Sequence, residues 1–226
     1  MHARYSLRRL GGTLGLILLS ASLTSFASLV PARVAQAAQS AADLANDAVG
    51  KSIALEKQQK YDEAIVALTS IRKPSYLVNL RLGWLYYLKA DYTNSKQFYQ
   101  MAMRMAPKAV EPRLGITLPM LAELRYAEVE GVARAILSLD ANNYTGSLRL
   151  ATSLRLQGKY RPAREINAAM LELYPTDVTF LSEQLLVSVA AKQNDVAALA
   201  EAILALDPEN ATALYYRTPT ASARKN

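Results

Sequence analysis

Residues 82–92 read Leu82-Gly83-Trp84-Leu85-Tyr86-Tyr87-Leu88-Lys89-Ala90-Asp91-Tyr92. An apolar and aromatic run stops at a short polar turn, and a tyrosine restarts it. Before the turn, Leu77, Leu80, Trp84, Tyr87 and Leu88 recur at helical spacing and share one face. After it, Tyr92, Ser95, Tyr99, Ala102 and Met103 do the same. Steps of three and four belong to a helix, whereas a half-buried strand alternates. The stretch is a helix, a tight turn and a second helix.

The same arrangement recurs along the chain. Tyr92, Tyr126 and Tyr160 lie 34 residues apart, and Asn194 takes the next step. Ser95, Val129, Ala163 and Ala197 keep that spacing, and Pro107, Ala141, Pro175 and Pro208 close the units. An earlier turn, Gln59-Lys60-Tyr61-Asp62-Glu63-Ala64, stands 31 residues before the Tyr92 frame. Gly158 suits a helix C-terminus that needs positive φ, and Pro162 falls in a first turn, where its missing N–H costs no hydrogen bond. A regular period of this kind marks a repeat protein. It predicts five units, 41–74, 75–109, 110–143, 144–177 and 178–209, with a short capping helix over 210–217. Helix pairs of this size cannot bury their apolar faces alone, so they stack in series. The expected fold is all-α, an α-solenoid.

Leu82, Gly83, Tyr86, Tyr92, Tyr99, Ala102 and Pro107 in the second unit resemble the tetratricopeptide repeat pattern. So do Leu150, Ala151, Leu154, Gly158, Tyr160, Ala163 and Pro175 in the fourth. The other units keep less of it: Val129 replaces Ala in the third, and the fifth lacks the aromatic. The resemblance covers residues 41–217. It implies a right-handed solenoid that acts as a binding scaffold, its first helices lining a concave groove for a peptide or protein segment. In that frame the groove takes Leu77, Leu80, Trp84 and Tyr87 from the second unit and Leu114, Leu118 and Leu121 from the third. The fourth unit gives Thr145, Leu148, Thr152 and Arg155. Arg81, Arg149 and Arg155 are the basic residues set to meet acidic groups of a partner. Trp84, the single tryptophan, is either a partner anchor or packing against the first unit. Gly83, Ala151, Ala102, Ala64 and Ala163 belong where helices approach closely, with Tyr86, Tyr92, Tyr99 and Tyr160 filling the gaps. Pro119, with Gly115 four residues before it, should kink the first helix of the third unit.

Outside the repeats, residues 1–10 are basic, 11–30 are uncharged and largely apolar, and Val34-Ala35-Gln36-Ala37 is a small-x-small site. That is a secretory signal with cleavage after Ala37, and the expected compartment is the periplasm. The alternative is retention of residues 1–37 as an inner-membrane anchor, since some twenty uncharged residues can just span a bilayer. The solenoid then occupies 38–217, and 218–226 form a loose tail.

Composition narrows the chemistry. The formal net charge is +7, but the first 37 residues hold four arginines and no acid. What remains is close to balance, and gives no case for a nucleic-acid surface. There is no cysteine, and the one histidine is His2. Thiolate, Ser-His and His-metal mechanisms are therefore excluded from the mature chain. No phosphate loop is present, and neither enzyme activity nor a cofactor is expected. Asp62, Glu63, Glu123, Glu128, Glu130, Glu165, Glu172, Glu183 and Glu201 read as solvated helix surface. A carbohydrate-binding protein or enzyme using the aromatic groove is the reading from another class. Asn143-Tyr144-Thr145 and Asn210-Ala211-Thr212 match the glycosylation triplet, by accident in a periplasmic protein.

Overall fold

The computed structural model describes residues 29–72 and 74–217, with side chains from residue 43 onward. The chain separates into two units, 1–42 and 43–226. Most of the expected signal segment and the whole of the expected tail lie outside the described residues. Of the first unit only the start of α1 is described, and all the repeats belong to the second. No described helix is long and apolar enough to cross a membrane.

Eleven helices and no strand occur among the described residues. Five pairs succeed one another: α1 (Leu29–Lys57) with α2 (Tyr61–Thr69), α3 (Tyr76–Leu88) with α4 (Tyr92–Met105), α5 (Glu111–Ala122) with α6 (Tyr126–Leu139), α7 (Tyr144–Leu156) with α8 (Tyr160–Leu173), and α9 (Val178–Ala190) with α10 (Val196–Leu206). A short α11 (Ala211–Tyr216) closes the series. Each tyrosine of the 34-residue column opens a second helix. Pro119 lies inside α5, which still runs on to Ala122.

The turn within each pair explains why the period is so regular. Gln59, Ala90, Leu124, Gly158 and Lys192 all take positive φ, between 54° and 74°. The residue after each donates its N–H back five positions, as in Lys60 to Leu55, Asp91 to Tyr86, Arg125 to Met120, Lys159 to Leu154 and Gln193 to Ser188. This is the Schellman closure, which satisfies carbonyls left open at a helix end. Only one of the five is glycine, so four turns hold an L-residue in the left-handed region at a local cost. Side-chain caps start α3, α7, α9 and the closing α11: Ser75 Oγ accepts from Val78, Asn143 Oδ1 from Gly146, Asp177 Oδ1 from Phe180 and Asn210 Oδ1 from Ala213. Such caps contribute about 1 kcal/mol each. Both asparagines of the glycosylation triplets are thus occupied as caps.

Packing is layered along the series. Ala45, Ala48 and Val49 of α1 meet Ala64, Ile65 and Leu68 of α2 and Val78, Leu82 and Leu85 of α3. Beyond them, Ala133, Leu150, Leu154, Ala163 and Val187 join α6, α7, α8 and α9. Each fully buried Leu or Ile contributes on the order of 1.5–3 kcal/mol. Ala64, Ala102, Ala151 and Ala163 are completely buried, as their place in the pattern requires. Ala213 of α11 is buried against Leu185, Ala200 and Ile203, so the last helix covers the end of the fifth pair.

Candidate functional site

The first helices α3, α5, α7 and α9 pack side by side, and their shared face carries a cleft of about 380 Å³. Its apolar walls are Leu77, Leu80 and Trp84 from α3 and Leu114 and Leu118 from α5. Thr145 and Arg149 of α7 close one side, and Arg81 and Glu111 add polar groups. Leu77 is 43% exposed, an apolar side chain kept in water at the mouth.

The floor comes from the other layer. Tyr99 of α4 lines the cleft yet is only 3% exposed. It reaches the cleft because Gly83 and Gly115 have no side chains. A Cβ on Gly83 would stand 2.8 Å from the Tyr99 ring, and one on Gly115 only 2.2 Å from Cε1. Burial pushes the Tyr99 phenol well above its ordinary pKa. It stays neutral at any physiological pH.

Trp84 packs against the first unit and also faces the cleft. Its ring lines the cleft, while its Nε1–H donates to Glu56 Oε1 on α1 at 2.9 Å. Glu56 also pairs with Arg81, whose Nε donates to Ser52 Oγ. The indole is therefore held in one orientation by the first pair. Tyr87 lies beside Trp84, ring centroids 5.6 Å apart, and continues towards Tyr92 at 6.2 Å. It backs the cleft and does not line it.

Of the residues expected in the groove, the structure gathers Leu77, Leu80, Trp84, Leu118 and Arg149 in one cleft. Leu121 packs against the core of Tyr99, Ile116, Met120 and Val129. Thr152 and Arg155 lie further along α7 and both turn to Glu183 of α9. Arg155 Nε donates to Glu183 Oε1 at 2.7 Å, and Thr152 Oγ1 donates to Oε2 at 3.2 Å. Glu183 is 6% exposed, which corrects its reading as solvated surface. A lone carboxylate cannot be buried cheaply, and two donors on the neighbouring helix make burial possible.

The three arginines therefore differ. Arg81 and Arg155 are neutralised within the chain by Glu56 and Glu183. Arg149 has no hydrogen-bond or ion-pair partner among the described residues, and its Nε is sealed from solvent. Burial pulls its pKa below the ordinary guanidinium value, though not enough to discharge it. Sequence reasoning missed Glu111 and the part played by Tyr99 and Gly115 in the cleft. The signal available was two glycines on successive first helices facing one tyrosine. No group of His, Cys, Asp and Glu suited to a metal ion occurs among the described residues.

Five helix pairs closed by Schellman turns, stacked so that the first helices share one face, define an α-solenoid of tetratricopeptide-like repeats. Solved structures agree on the fold. YrrB, a TPR protein with an unusual peptide-binding site, superposes with a TM-score of 0.63 at 12% identity, over 76% of this chain and 90% of its own. A double mutant of MamA RS-1 gives 0.64 at 14% identity, over 74% and 96%. The Cut9–Hcn1 hetero-tetramer of the APC/C gives 0.60 at 15%, over 75% of this chain and 34% of that one. No protein-family model matches the chain, and no curated protein matches it in sequence.

Proposed function

We propose that this protein is an exported, non-enzymatic scaffold that works in the periplasm and holds a segment of another envelope protein on the face of its first helices. The observation that carries the reading is the cleft itself. Leu77 is exposed at its mouth, and Leu80, Leu114, Leu118 and Trp84 line it half-buried over the second layer of helices. A solenoid gains nothing in stability by leaving such a surface uncovered, and open apolar clefts with a few polar groups are the usual form of a binding site. YrrB, which shares the fold, has a peptide-binding site. The basic start, apolar middle and Ala37 site of the N-terminal segment support export.

Photo-crosslinking in cells tests the reading. A crosslinking residue at position 77 should join the protein to a partner in the envelope fraction. The same residue at Arg161, whose side chain is 92% exposed on a second helix, should not. Equal crosslinking at both positions, or none at 77, refutes the groove. Intact mass of the exported chain tests the leader: a start at Ala38 supports a free periplasmic protein, and a retained segment supports the anchored form.

A further inference from the structure

We propose that Met105 is a reversible oxidation site, which takes oxygen from hydroperoxides on one face of its sulfur because the Asn79 amide holds the other. The site stands apart from the groove, whose cleft Met105 does not line. It emerges from two departures from the repeat. The second helices α6, α8 and α10 end on Leu139, Leu173 and Leu206, between 43% and 49% exposed. At the same place α4 ends on Met105, 52% exposed. Asn79 has no counterpart either, since one, two and three periods on the chain carries Arg113, Ser147 and Leu181. The two departures meet. Asn79 is 2% exposed, its Nδ2 donates to Met105 Sδ at 3.2 Å, and its Oδ1 has no hydrogen-bond partner among the described residues. Leucine and methionine exchange at little cost in packing. What the sulfur adds is an acceptor and a centre of reaction.

A thioether sulfur carries two lone pairs, one on each side of its C–S–C plane. The buried amide takes one and leaves the other to solvent. That lone pair attacks one oxygen of hydrogen peroxide or an organic hydroperoxide. An S–O bond forms as the O–O bond breaks, and the departing oxygen takes the proton and leaves as water or alcohol. Sulfur gives up two electrons and the peroxide accepts them. Oxidation at sulfur follows exposure, and the other described methionines are less open. Met101 and Met103 are half-buried, Met103 against the core of Tyr99 and Ile116, and Met120 and Met170 are 7% and 3% exposed. Oxygen therefore arrives at Met105 on the face away from Asn79, and a fixed face of attack gives one epimer at sulfur. The new polar group points outward, so the fold tolerates it, whereas at Met120 or Met170 it would disrupt a core. Each of the two classes of methionine sulfoxide reductase reduces one epimer, so one class alone restores Met105.

Graded hydrogen peroxide on the full-length protein, followed by peptide mass mapping, tests the site. Met105 should gain oxygen before Met101, Met103, Met120 and Met170, with the thermal midpoint by circular dichroism unchanged at that stage. One reductase class should then remove all of the Met105 oxygen and the other none. In Asn79→Ala, and in Asn79→Leu, which refills the volume, Met105 should still oxidise first, but each reductase class should remove only part. Met101 or Met103 oxidised as fast as Met105 overturns the site. Partial repair by both classes in the parent overturns the part given to the amide, as does a single epimer in both Asn79 variants. A lower midpoint with Met105 alone oxidised overturns the outward placement of the oxygen. The parent's oxidation order and repair pattern are read without any variant, so they decide even where an Asn79 variant does not fold.

Discussion

Gly115→Ala puts one carbon where the cleft has no room for it. The new Cβ would lie 2.2 Å from Cε1, 2.5 Å from Cζ and 2.7 Å from Cδ1 of Tyr99, against 3.4–4 Å for ordinary contact. The ring cannot retreat. Its opposite side faces Gly83, where a Cβ would sit 2.8 Å away, and the residue is 3% exposed. Alanine in a helix is worth about 1 kcal/mol over glycine. Overpacking a filled core costs about 1–3 kcal/mol, and a displacement of more than an ångström belongs at the upper end. The net expectation is a loss of about 1–2 kcal/mol. Urea unfolding monitored by far-UV circular dichroism measures it. Tyr99→Leu removes the colliding ring, so in the double variant the alanine should cost nothing further. A coupling of about 1 kcal/mol or more is expected for directly contacting residues. Gly115→Ala as stable as the parent, or effects that simply add, would refute the wedge of Tyr99 between two helix backbones.

The same geometry sets three further outcomes. Glu183→Ala leaves Arg155 without its partner in a site where the two side chains are 17% and 7% exposed, and should cost about 3 kcal/mol by thermal unfolding, whereas exchanging both residues for methionine should be close to neutral. Leu124→Gly should stabilise by up to about 1 kcal/mol in urea titration, because Leu124 is 67% exposed at φ 59° and glycine carries no steric cost there. Glu130 is held down to about 2 by Lys159 first, then by Arg134 and Gln157. A lowered carboxylate contributes stability above its unfolded value of 4.5 and loses it as pH falls towards 2, so Glu130→Gln should flatten acid unfolding across that window.

The repeat could be read without coordinates because it is local. Tyr92, Tyr126 and Tyr160 announce the second helices, and Pro107 and Pro175 come just after their ends. The turns could be read less well. Gly158 is visible as a left-handed cap, but Gln59, Ala90, Leu124 and Lys192 adopt the same conformation without a glycine to signal it. There the five-residue Schellman hydrogen bond overrides residue preference. The cleft was legible in part. Leu77, Leu80, Trp84 and Leu118, which the resemblance to the repeat family places on the groove side of the first helices, line one cleft. Tyr99 was assigned to the gap between helices, and nothing in its own helix shows that it passes between Gly83 and Gly115 to the far face.

Sequence alone determined that this chain is a series of helix pairs and that Tyr92, Tyr126 and Tyr160 open second helices, whereas α1 begins at Leu29, twelve residues before the expected start of the first unit at 41. The pairs depend on contacts three and four residues apart, which a short-range pattern records. Tertiary structure alone decided which charges are free. Glu56 and Arg81 are 25 residues apart and Arg155 and Glu183 are 28, distances that match no period in the chain. Whether a guanidinium is neutralised depends on what the adjoining helices bring within a few ångströms, and in the interior that single neighbour outweighs every residue nearby in sequence.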